Sequence, residues 1–317
     1  MSTLIITSLN ALSFGLLLFL LSAGLTLIFS MMGVLNFAHA GFYMLGAYAA
    51  YTLGLHAGFF PALVLAPLAV GALGMLVERF GLRKVHAYGH VAELLFTFGL
   101  AFIIEELVQL VWGKAPVGYP VPQALSGAAF TVMGSPFPLY RLFVMAVSVG
   151  VLLLLYLTIT RTRTGLIIQA ALTHPRMVEA LGHNVPRVFM TVFGVGVALA
   201  ALAGAVGAPM SVTEPAMAHA IGPIVFVVIV LGGIGSLKGA FIASLLLGFA
   251  QNFAILYDLS PYQLALDAFG PGAAGMLDFE LFRITIAQFA PLLPFVVMVL
   301  VLLVRPQGLC GRPGSGA

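Results

Sequence analysis

Apolar runs long enough to cross a bilayer dominate this chain, and no other feature limits its fold so tightly. Nine of them, at 9–31, 37–55, 59–79, 91–112, 141–160, 188–208, 220–235, 239–257 and 282–304, lie at or near the required length. A helix rising about 1.5 Å per residue needs roughly 20 residues to span a hydrocarbon core of about 30 Å. None alternates with a period of two, so helices are expected and not the strands of an outer-membrane barrel. With 62% hydrophobic and 7% charged residues among 317, the chain lacks the polar surface to cover a soluble globule. The expected fold class is therefore all-α, a polytopic transmembrane helical bundle forming a single domain over 1–317. Its count is eight to nine spans, because 220–235 is short and ends in LGGIGS, which fits either a full crossing or a re-entrant segment.

The basic pI of about 9.1 does not mark a nucleic-acid binder, since the 13 Lys and Arg form no basic face. They sort instead by side. Alternating nine spans puts Arg79, Arg83, Lys84, Arg161, Arg163, Arg176, Arg187, Lys238, Arg305 and Arg312 together, and leaves Lys114, Arg141 and Arg283 opposite. Positive charge concentrates on the cytoplasmic side of membrane proteins. The C-terminus is thus expected inside, with the N-terminus outside for nine spans. The opening MSTLIITSLN has no basic region and precedes a run too long for a signal-peptide core, so the first span reads as retained. Cys310, the single cysteine, excludes an intrachain disulfide framework and a cysteine metal cluster.

Polar residues inside apolar runs are the candidates for function. Asn36 and His39 in VLNFAHAGFYMLGAY fall at a junction flanked by Gly33 and Gly41. Three residues apart, they share one side of a helix. Two readings stay open: Asn36 caps the second helix while His39 satisfies a nearby carbonyl, or both line a pathway at a broken helix. A weakly similar break, VLGGIGSLKGAFIAS, contains Gly232, Gly233 and Gly235. Both breaks face inward by the charge bias, so any internal repeat is parallel. Glu105 and Glu106 lie in a span close to Trp112, where snorkelling or pairing with Lys114 is the favoured account; Glu78 and Glu93 sit near the inner interface and call for no special role. Gly196, Ala200, Gly204 and Ala208 make a small-residue stripe, as do Ala240, Ser244 and Gly248, which favours close helix packing within the chain.

Two polar segments are expected outside, an irregular Pro- and Gly-rich cap at 113–140 and a loop at 258–281. The inner segment 161–187 is too long for a simple connector. Thr173 or His174 suits a cap, Pro175 the first helical position and Gly182 a stop, which predicts a short helix over about 175–181. A docked partner is one account of it, and a helix resting on anionic headgroups beside Arg161, Arg163, Arg176 and Arg187 is the other. No GxxxxGK[ST] loop, HExxH pair or GxSxG turn occurs, so neither ATP hydrolysis nor metal or nucleophilic catalysis is expected of this chain.

At these same places the sequence resembles the permease subunits of branched-chain amino acid ABC importers, the LivH type. The matching blocks are Gly33, Asn36, Ala38, His39 and YMLGAY at 43–48; LLFTFGLAFIIEELVQLVWG; VLGGIGSLKGAFIASLLLG; and RPQGL at 305–309. The resemblance implies a multi-pass protein of the plasma (inner) membrane that imports branched-chain or other hydrophobic amino acids. It implies a second homologous permease, two cytoplasmic ATP-binding subunits that use the ATP, and an extracytoplasmic substrate-binding protein as partners, with no cofactor or metal on this chain. Carried over, Ala171, Arg176, Glu179, Ala180 and Gly182 would form the ATPase-coupling helix, and Gly33, Asn36, His39, Gly41, Gly232, Gly233 and Gly235 the substrate pathway. One departure concerns specificity: His39 is followed by Ala40 and Gly41, where the family commonly has Gly and then an acidic or small residue. Related permeases serve urea and short amides, and a stand-alone channel or secondary transporter is the alternative from another class, disfavoured by the shortage of mid-span ionisable residues.

Overall fold

The computed structural model describes residues 2–270 and 280–311. Arg312 and residues 271–279 of the second outer loop lie outside the described residues. Long helices run over Ser2–Met32 (α1), His39–Ala57 (α2), Phe59–Val77 (α3), His90–Trp112 (α4) and Leu139–Arg161 (α5). Two shorter ones follow, Arg163–Thr173 (α6) and Pro175–Ala180 (α7), and then Val185–Gly207 (α8), Met217–Gly232 (α9) and Leu237–Leu256 (α10). The chain ends in Pro261–Phe269 (α11), Glu280–Arg283 (α12), Ile286–Phe289 (α13) and Leu293–Val304 (α14). Six helices among the described residues are long and apolar enough to cross a membrane, and α9 and α14 are shorter apolar helices.

The core sits where α1, α2, α3 and α8 meet. In a bilayer, helices gain little by hiding hydrocarbon from hydrocarbon, so association depends on close packing. Gly and Ala supply it. The Gly196–Gly204 part of the small-residue stripe faces α1 and α2: a Cβ on Gly196 would lie 2.8 Å from the Gly24 carbonyl oxygen, and one on Gly204 would overlap the Tyr43 carbonyl. Ala200 and Ala208 are fully or almost fully buried. A second seam joins α1 to α10, where a Cβ on Gly248 would meet the Ala11 carbonyl oxygen at 2.6 Å. α2, buried along residues 39–44, 46–48 and 50, is enclosed by protein, which explains how it carries His39, three Tyr and a Thr.

Several sequence expectations are corrected. The segment 282–304 is not one continuous helix: it breaks at 284–285 and again at 290–292, where Pro291 lacks an N–H and clashes with the preceding turn, while Pro294 sits in the first turn of α14, the longest helix left there. The outer cap is not wholly irregular. Residues Ala128–Val132 (β1) and Ser135–Pro138 (β2) form an antiparallel hairpin turning through Met133 and Gly134, both at positive φ. Val117 pairs with Thr213, stitching this cap to the segment before α9, and burial pushes the phenol of Tyr119, set between Tyr51 and Phe59, above its ordinary range. The inner segment holds two helices, not one.

Adding a methyl group at Gly204 forces α8 away from α2. Gly204→Ala should lower the detergent-solubilised unfolding temperature by several degrees, an overpacking cost of about 1–3 kcal/mol. Gly99→Ala, which meets nothing within 4 Å, should leave it unchanged, as thermal unfolding monitored by size-exclusion fluorescence would show.

Candidate functional site: the helix break and the cleft beside it

α1 stops at Met32 because Gly33 takes φ +67, a left-handed conformation that ordinary residues avoid. Residues 33–36 then run without helix before α2 begins. Asn36 turns this corner, its Oδ1 accepting from the Ala38 N–H at 3.1 Å. His39 Nε2 donates to the Leu21 carbonyl of α1 at 2.9 Å, pinning the start of α2 to a turn eighteen residues back. Both side chains are buried, and Asn36 Nδ2 and His39 Nδ1 find no hydrogen-bond partner in the described chain. Leaving a buried polar atom unpaired costs about 1–3 kcal/mol. The geometry is thus a turn and a carbonyl latch with two polar atoms left over: His39 meets a carbonyl as the capping reading has it, whereas Asn36 does not cap α2, whose N-cap is Ala38 without a side-chain cap bond. Gly41 packs on Ile104 of α4.

The second break is built jointly with the C-terminal tail. Gly233 and Gly235 have positive φ, and Gly232 packs directly on Gly239. The Leu309 N–H donates to the Leu231 carbonyl at 2.8 Å and the Cys310 N–H to the Gly232 carbonyl at 3.0 Å. RPQGL therefore finishes the end of α9, satisfying carbonyls that the helix terminus leaves open. Nothing in the sequence alone ties these two motifs together.

In the segment 161–187, α6 and α7 share with the start of α8 a small core of Ala171, Val178 and Val185. Ala171 is thus buried, whereas Arg176, Glu179, Ala180 and Gly182 are exposed. α7 starts at Pro175 after His174, which makes no side-chain cap bond, and the side chain of Thr173 lies outside what the structure describes. It ends sharply: the Gly182 N–H donates to the Glu179 carbonyl at 2.9 Å and the His183 N–H to the Val178 carbonyl at 3.2 Å, a closure that needs the left-handed φ of +86 at Gly182. Met177 and Leu181 project into solvent at 63% and 73% exposure.

Beside α7 opens a cleft of about 260 Å³ lined by Met32, Glu78, Arg83, His86, Glu179 and Phe189, among others. Here the sequence reading missed two carboxylates. Glu78 and Glu93 are almost wholly buried. Glu78 holds Arg83 through two hydrogen bonds, of 2.6 and 3.1 Å, while Arg83 also donates to the Pro186 carbonyl at 2.7 Å. A π-helical turn over Glu78–Leu82 sets the five-residue spacing that lets the pair meet. Glu93 accepts from Nδ1 of both His86 and His90, and His90 lies beside Gly33. The His86, His90, Glu93 spacing around one helix start was the available signal. Glu105 also departs from expectation, pairing with His219 of α9 at 2.6 Å and not with Lys114. Among the described residues no group of His, Cys, Asp or Glu is arranged to hold a metal ion.

A family model described as branched-chain amino acid transport system / permease component matches residues 7–303. The high-affinity branched-chain amino acid transport system permease protein BraD of Pseudomonas aeruginosa is 28% identical over 319 residues, covering 96% of this chain and 94% of that protein. The corresponding permease protein LivH of Escherichia coli K12 is 27% identical over 329 residues, with 96% and 94% covered.

Removing one partner of the buried pair strands the other. Arg83→Ala should destabilise the solubilised protein by about 2 kcal/mol, less than for a fully enclosed pair because Arg83 is 37% exposed. The double change Glu78→Gln with Arg83→Ala should recover part of the loss, and thermal unfolding of the parent, Arg83→Ala, Glu78→Gln and the double variant would measure it.

Proposed function

This chain belongs to the family of branched-chain amino acid transport system permease components, and we propose that it is the transmembrane subunit of an ATP-driven importer for branched-chain or other hydrophobic amino acids. The observation that carries this reading is the family match over nearly the whole chain. As a permease subunit it is a transporter component and not an enzyme. It pairs in the plasma (inner) membrane with a second homologous permease, receives substrate from an extracytoplasmic binding protein, and is driven by two cytoplasmic ATP-binding subunits; no cofactor is bound by this chain.

In this reading eight to nine segments cross, with the C-terminus inside, and 161–187 is the coupling loop. The exposed Met177 and Leu181 beside Arg176 and Glu179 support α7 as the knob that the ATP-binding subunits grip, a mixed apolar and charged surface suited to docking. Ala171, Ala180 and Gly182 fix its base and end. Motion of α7 reaches the bundle through the cleft: Arg83 bonds both Glu78 and the Pro186 carbonyl, and His86, Glu93 and His90 continue from the cleft wall to Gly33. Gly33, Asn36, His39 and Gly41 then form one hinge at the inner end of the pathway, with Gly232, Gly233 and Gly235 forming the other. The unpaired polar atoms of Asn36 and His39 support a second arrangement in which they are satisfied, since an alternating pathway requires two states of differing affinity.

ATP-dependent uptake of labelled leucine by cells carrying the complete importer, suppressed by unlabelled isoleucine and valine, is the expected result. Gly182→Pro, which removes a used N–H and cannot adopt φ +86, should cut that uptake at least tenfold while the permease still inserts; Glu179→Ala should act in the same direction. Uptake that survives ATP depletion would instead make this a channel or secondary transporter. ATP-dependent uptake of urea or a short amide alone would keep the mechanism and replace the substrate.

A further inference from the structure

One lateral face of the bundle is built unlike a lipid-facing surface. On α4, Glu93, Thr97, Ile104 and Val108 turn toward the core. Phe98, Phe102, Glu105 and Gln109 form a separate stripe at helical spacing. Glu105 lies seven residues before Trp112, about 10 Å along the helix from its end. Its Oε2 accepts from His219 Nε2 at 2.6 Å and its Oε1 from Gln109 Nε2 at 3.4 Å. The carboxylate is 16% exposed and His219 is 62% exposed, while the neighbouring Glu106 is exposed as well.

Below the pair runs an aromatic ladder. Phe102 stands 6.2 Å from the His219 ring and 5.0 Å from Phe98; Phe98 is 6.3 Å from Phe37, which in turn lies 4.8 Å from Phe226 of α9. Phe37 is the neighbour of Asn36, so the ladder descends from Glu105 to the helix break. A carboxylate and a histidine open to hydrocarbon at this depth would be costly, and such groups face the bundle interior or a watery cavity. α4 and α9 therefore turn this face away from lipid.

Building on the importer reading above, we infer that this face is the substrate-contacting wall of the pathway, with Glu105 the site for the ammonium group of an amino acid zwitterion. A carboxylate with one hydrogen-bond partner on each oxygen keeps lone pairs for a further, charge-assisted hydrogen bond. The phenyl ladder supplies an apolar surface for a hydrocarbon side chain as it moves toward the break. An uncharged solute such as urea has no use for this arrangement, so the wall selects for the charge pattern of an amino acid as well as for an apolar side chain.

The test uses the complete importer in proteoliposomes, in a Cys310→Ser background. Phe102→Cys should react with a membrane-impermeant thiosulfonate at least tenfold faster than Val149→Cys, which is exposed at matching depth on α5, and leucine should slow the reaction. Glu105→Gln should lower ATP-dependent leucine uptake at least tenfold with assembly and basal ATP hydrolysis retained, and Glu105→Asp should restore part of it. Equal, slow labelling at both cysteines, or leucine uptake by Glu105→Gln within twofold of the parent, overturns the assignment. Failure of the parent itself to take up leucine with ATP would sink the importer reading, and the labelling arm would still decide whether the face is wet.

Discussion

Backbone-to-backbone contact along α8 is the constraint on which the rest of the bundle depends. Gly196 meets α1, Gly204 meets α2, and Gly194 lies against Met75 of α3, so one helix fixes the positions of three others. Because hydrocarbon surroundings give these helices little reason to associate through apolarity alone, the missing side chains are what let dispersion forces act over short distances. The Gly24 to Gly196 approach also sets the height at which His39 reaches Leu21: a Cβ on Gly24 would lie 3.0 Å from the His39 ring. The packing and the polar latch are therefore one construction, and loosening the first would lengthen the second.

What the sequence made legible was whatever depends on neighbours in the chain. Span positions follow from runs of apolar residues, and the stop at Gly182 follows from local turn chemistry. The break at Gly33 is of the same kind. What it hid depends on partners distant in sequence or on an unusual local spacing. Glu78 looked like an ordinary interfacial acid because its partner stands five residues on, a separation that only the π-helical turn brings together. Glu105 seemed matched to nearby Lys114, yet its partner comes from α9, across the face of the bundle. The β hairpin was obscured by Pro and Gly, which mark turns and breaks alike. The second break in the last segment could have been read from Pro291; strong apolarity there outweighed the missing donor.

The two helix breaks differ in how their open backbone groups are met. At Gly33 the corner is turned by an asparagine two residues from its donor partner, a local solution. At Gly233 the corner is met from outside, by the 307–311 tail lying across the end of α9. The first can form as soon as its own residues are joined. The second waits for a segment far along the chain, which makes the end of α9 sensitive to events at the opposite end of the protein.

That dependence has a consequence for biosynthesis. The carbonyls of Leu231 and Gly232 emerge long before Leu309 and Cys310, the residues whose N–H groups satisfy them. Until those residues are made, the two carbonyls must find another donor, such as water. The glycine corner closes only once residues 307–311 have been made, after α10 to α14 have been delivered, and this segment serves as the clasp that fixes the end of α9.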